Sequence, residues 1–519
     1  MTRLLPSSPA LSTAVAFIAG ALTVFSFAPF GFWPLQIVTL ALCFALMLRA
    51  GTVRQAALIC WAYGFGWSAF GIHWLFVSLH HHGGMPAWMA TLAVVLLAVY
   101  VGAFYAAIGA GAAWLRQRRG ISPLLLATLV LPSLWALAEW TRGWLLTGFP
   151  WLTSGYAHSI GPLAGYAPLV GVYGIGFVAA WIAAAIALLP SNPRPAVAAV
   201  VVLAAGLGLR MIDWTTPHGE PISVRLLQGN VPQEMKFAPE KIMNSLTLYR
   251  NMIEAQPADL IATPETAIPL LPNQLPPGYL PGLTDFARET GSHLLLGLPA
   301  SDAPGEYANR VVGFGPPSSS AIEQVNVSAN DRYHYDKHHL VPFGEFIPPG
   351  FRWFVNMMSI PLGDFNRGAA VQRAFAVKDQ QIMPNICYED LFGNEIATHI
   401  SAGAASPGME PTMLLNVSNI AWFGDTIALP QHLQISQLRS IETGRPMLRA
   451  TNTGATAIVD PKGRVVAQLK PYTRGTLSAD VQGMRGLTPY VRVGDKGIVL
   501  VSLVLLGLAL GLQRRARRP

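Results

Sequence analysis

Charge is scarce in this sequence. Asp, Glu, Lys and Arg make up 12% of its 519 residues, while 52% are hydrophobic; soluble domains carry about 25% charged residues. That balance excludes an ordinary water-soluble protein. Cysteine is scarcer still, and three residues are too few for a disulfide scaffold. Cys43 and Cys60 lie in apolar runs, where a thiol behaves as a small buried hydrophobe. Cys387 is left alone in a polar part of the chain. Internal repeats and low-complexity tracts are lacking too. No clear cleavage site follows the first apolar stretch, so it reads as a retained span rather than a signal peptide. The formal net charge of +8 is the one feature pointing to nucleic acid. Its arginines, however, sit in short clusters between apolar runs and at the C-terminus, the distribution of a membrane protein.

A helix needs about 20 apolar residues to cross the hydrocarbon core. Apolar runs occur at residues 11–28, 34–48, 56–79, 87–115, 123–140, 163–189, 196–211 and 497–512. They predict a polytopic α-helical membrane domain of about eight spans. Seven fall in residues 1–211, and the eighth, with a basic tail, in 497–519; seven spans plus a re-entrant piece is the alternative count. Arg3, Arg49, Arg54, Arg116, Arg118, Arg119, Arg194, Arg514, Arg515, Arg517 and Arg518 all fall in alternate connections, and the other short connections carry only Arg142. By the positive-inside rule both termini are then cytoplasmic, and the insert 212–496 lies outside the cytoplasm.

Within that insert, short apolar runs alternate with polar helical stretches. The pattern predicts strands at 222–228, 259–262, 294–298, 381–387, 412–417 and 455–460, and helices at 239–255, before Gly291 and at 431–442. Such alternation makes a layered α/β domain. Three segments place an ionisable side chain where a strand ends: Ala262-Thr263-Pro264-Glu265-Thr266, the run from Tyr335-Asp336-Lys337 to Pro342-Phe343-Gly344-Glu345, and Asn385-Ile386-Cys387-Tyr388-Glu389-Asp390. A free thiol titrates near 8.5, so at neutral pH only a small fraction is thiolate. A neighbouring ammonium favours the thiolate, and a glutamate within reach can take its proton. The bland readings are a buried structural thiol for Cys387, a solvated carboxylate for Glu265 and a surface lysine for Lys337. The polar flank of Cys387 and the strand-end setting of Glu265 speak against the first two. Lys337 is singled out by the string around it.

A carboxylate, a lysine and a cysteine in this order and in these contexts resemble the nitrilase/amidase superfamily with its Glu-Lys-Cys triad. With the surrounding spans, the chain resembles the apolipoprotein N-acyltransferase family over essentially its whole length. Supporting strings are Gln228-Gly229-Asn230-Val231-Pro232-Gln233, Asn416-Val417-Ser418-Asn419 followed by Trp422-Phe423, and Arg445-Pro446-Met447 through Thr451-Asn452-Thr453-Gly454. The resemblance implies an αββα nitrilase-like sandwich for the insert, with Cys387 as nucleophile, Glu265 as base and later acid, and Lys337 as oxyanion stabiliser. Glu345, Tyr388 and Glu389 become supporting residues, the two glutamates orienting Lys337. The implied reaction is ping-pong, with no metal or organic cofactor. Cys387 takes an acyl chain from a phospholipid as a thioester, and the α-amine of a diacylglyceryl-modified N-terminal cysteine of an apolipoprotein receives it. The implied setting is the bacterial inner membrane with the insert in the periplasm, as a monomer and without nucleic acid. One departure stands out: an expected tryptophan after the Gln-Gly-Asn string is Phe237 here, which puts substrate contacts at that point in question.

Two other readings stay open on sequence. A membrane-tethered amidase would pass the acyl group to water, and a non-enzymatic transporter would need buried charges or paired broken helices, of which the spans have few. His80, His81 and His82 form a histidine tract, but consecutive side chains do not face one ion. His338 and His339 are expected only to support Lys337. Glu139 and Arg142 are expected to pair with each other. The aromatic stretch 144–151 suits an interfacial belt or a lipid entry route.

Overall fold

The computed structural model describes residues 8–233, 239–303, 305–316, 333–352 and 364–516; Arg3, Phe237, Arg517 and Arg518 lie outside them. Apolar sequence becomes helix throughout the first part. Among the described residues, Pro9–Ser26, Ala87–Arg119, Pro123–Arg142, Pro162–Ala187 and Lys496–Arg515 are long and apolar enough to cross a membrane, and Pro34–Leu48 and Arg194–Leu209 are apolar but shorter. Proline at the first turn pre-sets several of these helices, as at Pro9 and Pro34. Val53–Gly71 is capped instead by Thr52, whose hydroxyl accepts the Gln55 N–H at 3.2 Å.

Two expected runs are interrupted, the first by a local contact and the second beside a distant ring. The run 56–79 leaves the helix at Ile72 (φ −118°, ψ 15°). Trp74 Nε1 donates to the Gly71 carbonyl at 3.0 Å, taking the acceptor that the next helical turn would have used. The run 163–189 is a 3₁₀ turn, Pro162–Tyr166, followed by Ala167–Ala187 with a break at Gly171 (φ 64°). The Tyr490 ring occupies the space that a side chain at Gly171 would need.

The polar part is a sandwich of two six-stranded sheets. Its strands are β1 (Thr216–Gln228), β2 (Leu260–Ala262), β3 (His293–Ala300), β4 (Ala308–Phe314), β5 (His334–Asp336), β6 (Phe375–Val377), β7 (Gln380–Ile386), β8 (Met413–Ser418), β9 (Met447–Thr451), β10 (Ala457–Val459), β11 (Val465–Gln468) and β12 (Gly475–Arg485). One sheet has the order β12-β1-β2-β3-β4-β5 and the other β11-β10-β9-β8-β7-β6. Each has a parallel centre, β1-β2-β3 and β7-β8-β9, with antiparallel strands outside it. Alternation sorts the side chains. Ile222, Val224 and Leu226 of β1 meet Ile382, Ile386 and Leu415 between the sheets. Leu227, Leu294 and Leu296 face Leu246, Ile253 and Leu283 of the helices Pro239–Glu254 and Tyr279–Thr290. On the other sheet, Gly393–Ala404 packs through Ile396 and Ile400. These are the layers of an αββα sandwich.

The helix Ala428–Thr443 has two packed faces. Leu433 joins the sandwich core, whereas Ile435, Leu438 and Ile441 join the core of the apolar helices. Its buried Gln431 accepts the indole N–H groups of Trp74 at 3.2 Å and Trp151 at 2.9 Å. The sandwich is thus seated on the apolar helices by polar as well as apolar contacts.

Candidate active site

Each of the three expected residues follows the carboxyl end of a strand. β2 stops at Ala262, and Thr263-Pro264 carry the chain to Glu265. That segment crosses Gly297 of β3 so closely that a side chain there would overlap the Pro264 carbonyl. Ile268 N donates to Gly297 O at 3.1 Å and Gly297 N to the Thr263 hydroxyl at 3.0 Å, pinning the crossing. Lys337 follows β5, its N–H bonded to Asn309 O at 2.8 Å. Cys387 follows β7 and takes φ of 54°, a conformation unusual for a residue with a side chain, before the 3₁₀ turn Cys387–Leu391.

The side chains converge in a nearly dry cluster. Lys337, 1% exposed, donates to Glu345 Oε1 at 2.7 Å and to Glu265 Oε1 at 3.2 Å. Asn309 Nδ2 donates to the same two oxygens, at 2.9 and 2.7 Å. The second oxygens are held by backbone: Asn419 N–H reaches Glu265 Oε2 and Val341 N–H reaches Glu345 Oε2, both at 2.9 Å. Two carboxylates around one ammonium outweigh the burial that opposes its charge, and hold Lys337 above the usual lysine range. For Cys387 the balance runs the other way. Burial first, then the negative charge of Glu265, push its thiol up to about 12 against the pull of Lys337. Of the carboxylates around it, Glu265 is the one whose charge raises the thiol most.

Glu345 contacts Lys337 as expected; Glu389 does something else. Its Oε1 accepts the backbone N–H groups of His338 (2.7 Å) and His339 (3.1 Å), and its Oε2 those of Ile386 (2.6 Å) and the Tyr335 hydroxyl (3.0 Å). The carboxylate staples the lysine loop to the cysteine strand, while its burial pushes it up to about 7. The Tyr388 ring leaves the cluster, and its hydroxyl donates to Gly148 O at 3.1 Å. His338 bonds Gly368 O and His339 bonds Glu395 and Thr147 O, so neither histidine ring contacts the Lys337 ammonium through these bonds.

Glu139 and Arg142 lie 3.9 Å apart. Glu139 accepts Ser154 N–H at 2.8 Å, and Arg142 donates to Phe149 O and Trp151 O, a structural pair bracing the aromatic stretch. That stretch divides: Trp144 is exposed and Trp151 buried against the sandwich. His80 bonds its own turn at Met85 O. Among the described residues no group of three His, Cys, Asp or Glu could hold a metal ion. Asn309, which ties the two carboxylates together, had no signal in the sequence: it lies on β4, a strand that the apolar pattern does not pick out.

A Glu-Lys-Cys cluster at the strand ends of an αββα sandwich defines a nitrilase-like domain, here joined to a set of apolar helices. Residues 224–490 match the carbon-nitrogen hydrolase family and residues 19–185 the apolipoprotein N-acyltransferase N-terminal domain. The chain is 49% identical to an apolipoprotein N-acyltransferase of Ralstonia nicotianae, over 97% of this chain and 94% of that protein. It is 43% identical to one of Nitrosomonas europaea, over 95% of each. Among solved structures, a mutant amidase of the nitrilase superfamily from Nesterenkonia AN1 is 17% identical, with a TM-score of 0.38, over 54% of this chain and 97% of that one. The chain belongs to the apolipoprotein N-acyltransferase family.

Proposed function

We propose that this protein is an acyltransferase that moves a fatty acyl chain from a membrane phospholipid to the α-amine of a diacylglyceryl-modified apolipoprotein. Cys387 is its nucleophile, Glu265 its general base and acid, and Lys337 its oxyanion stabiliser. The observation that carries this reading is the buried Glu265–Lys337–Glu345 cluster beside a cysteine whose sulfur rests as a thiol.

In the first half-reaction the Cys387 proton passes to Glu265 as sulfur attacks the ester carbonyl. Negative charge develops on the carbonyl oxygen, where Lys337 and the N–H after the cysteine receive it. The C–O bond then breaks, and the departing alkoxide takes the proton from Glu265, leaving a lysophospholipid and an acyl thioester. In the second half, the lipoprotein amine attacks the thioester. Glu265 accepts the amine's proton and returns one to the leaving sulfur, and an amide has formed. Glu345 and Asn309 keep Lys337 and Glu265 in register, and Glu389 holds the two loops together.

The membrane fits a substrate that lives in the bilayer. Residues 1–211 form the membrane domain, 212–496 the catalytic domain and 497–519 the last span with its basic tail. In this reading the chain has eight spans and acts as a monomer in the inner membrane, with both termini in the cytoplasm and the catalytic domain in the periplasm. The positive-inside distribution of arginines supports this orientation. A purified sample given phospholipid and a diacylglyceryl-cysteine peptide should yield the N-acylated peptide by mass spectrometry. Release of free fatty acid with the peptide unmodified would replace the transferase reading with a hydrolase.

A further inference from the structure

We infer that His432 is a positioning residue for the nucleophile: it holds the Cys387–Tyr388 peptide so that the Tyr388 N–H is aimed at the developing oxyanion. The inference rests on Cys387 being the nucleophile. His432 is buried on the helix Ala428–Thr443, and its Nε2 lies 3.3 Å from Cys387 O. A carbonyl oxygen only accepts, so that nitrogen carries the hydrogen. On the other side of the ring Arg449 Nη2 sits 2.8 Å from Nδ1. A guanidinium only donates, so Nδ1 is the acceptor. Together the two contacts fix one tautomer.

The ring has little freedom to turn. Trp151 stacks on it, with centroids 5.6 Å apart and planes 10° from parallel. Asp390 Oδ1 lies 3.0 Å from Nε2, and Asp390 Oδ2 is bonded by Arg449 at 3.0 Å and by Ser436. Asn416 Nδ2 gives Cys387 O a second donor at 3.2 Å. Cys387 needs such restraint, because a positive φ on a residue with a side chain persists only where its surroundings over-determine it.

The consequence follows from peptide geometry. In a planar trans peptide the carbonyl and the N–H point in opposite directions. Two donors that clamp Cys387 O toward the helix therefore turn the Tyr388 N–H away from it. As the start of a 3₁₀ turn, that N–H has no partner within the turn. It is then left open to an oxyanion. Because Trp151 comes from the apolar helical part, the same ring also ties the geometry of the nucleophile to the seating of the sandwich.

The test compares His432→Phe, which keeps a flat ring against Trp151 but has no donor, with His432→Gln, whose amide restores an N–H near Nε2. Acyl-enzyme formation from phosphatidylethanolamine vesicles is followed by intact mass, with kcat and KM measured on the full chain. The expected result is a fall in acylation rate of about 10-fold to 100-fold for His432→Phe, the scale of a small misplacement at a reacting centre. KM should stay unchanged, with most of the rate recovered in His432→Gln. If His432→Phe does not fold, Asn416→Leu, which removes the second donor, should give the same split of kcat from KM. Wild-type acylation rates in His432→Phe, or in Asn416→Leu if that variant stands in, would overturn the inference while leaving the nucleophile assignment intact. Loss in His432→Gln equal to that in His432→Phe would overturn it too. Failure of the wild type itself to form an adduct would overturn the underlying reading instead, and this inference with it.

Discussion

Removing the ammonium from the Lys337 cluster leaves Glu265 and Glu345 buried without the charge that both of them face, although Asn309 still donates to each. Breaking a buried ion pair by deleting one partner costs about 3–5 kcal/mol. Lys337→Met should therefore lower the melting temperature as well as abolish acylation, and both are readable on one preparation. The thiol gives a prediction in pH. Its value is raised, to about 12, so at any given pH the thiolate fraction is smaller than for a free cysteine. Reactivity must keep climbing as pH rises, past the point where an ordinary thiol levels off. Alkylation of Cys387 by iodoacetamide should increase steadily from pH 7 to beyond pH 10; a plateau near pH 8.5 would contradict the assignment. Glu389 belongs to a different class of effect. Glu389→Gln puts an amide among three backbone N–H donors, and the expected loss of activity should come with loosening of the loop 338–345, measurable by faster proteolysis there.

The central strands were readable as short apolar runs because both of their faces are buried, whereas β4 and β5, which hold Asn309 and lead to Lys337, stand outside the runs that the pattern picks out. β1, β2, β3, β7 and β8 all lie where the apolar pattern puts them. Short edge strands such as β6 and β11 were not, since few residues and a half-exposed face leave little pattern. The helix break at Gly171 was invisible for a related reason: the Tyr490 ring packed against it comes from a distant part of the chain. In the site, the three strand-end strings named Glu265, Lys337 and Cys387. They did not name Asn309, and sequence alone does not say that Glu389 turns toward backbone N–H groups rather than toward Lys337. Gly297 shows how far a strand residue controls the site. Gly297→Ala would push a methyl group into the Pro264–Glu265 backbone, and overpacking of this kind costs about 1–3 kcal/mol. The expected outcome is a folded protein with a displaced Glu265 and at least a 10-fold slower acylation; unchanged kinetics would mean that the crossing adapts.

The molecule joins a water-excluding site to helices that suit a bilayer, and the seam between them is specific. Gln431 accepts two indoles, Gln434 accepts Ala28 N–H at 3.0 Å, and Arg439 lies over the Tyr156 ring at 5.5 Å. The orientation predicts that a cysteine at the exposed Lys462 (Lys462→Cys) reacts with an impermeant maleimide from outside intact spheroplasts, whereas one at Arg515 does not; the reverse pattern would invert the topology. The most direct measurement on the central claim is intact mass spectrometry of the protein after incubation with phospholipid. The account predicts an added acyl mass that neutral hydroxylamine removes and that Cys387→Ala never acquires. An acyl mass that persists in Cys387→Ala, or no mass gain in a folded wild type, would contradict it.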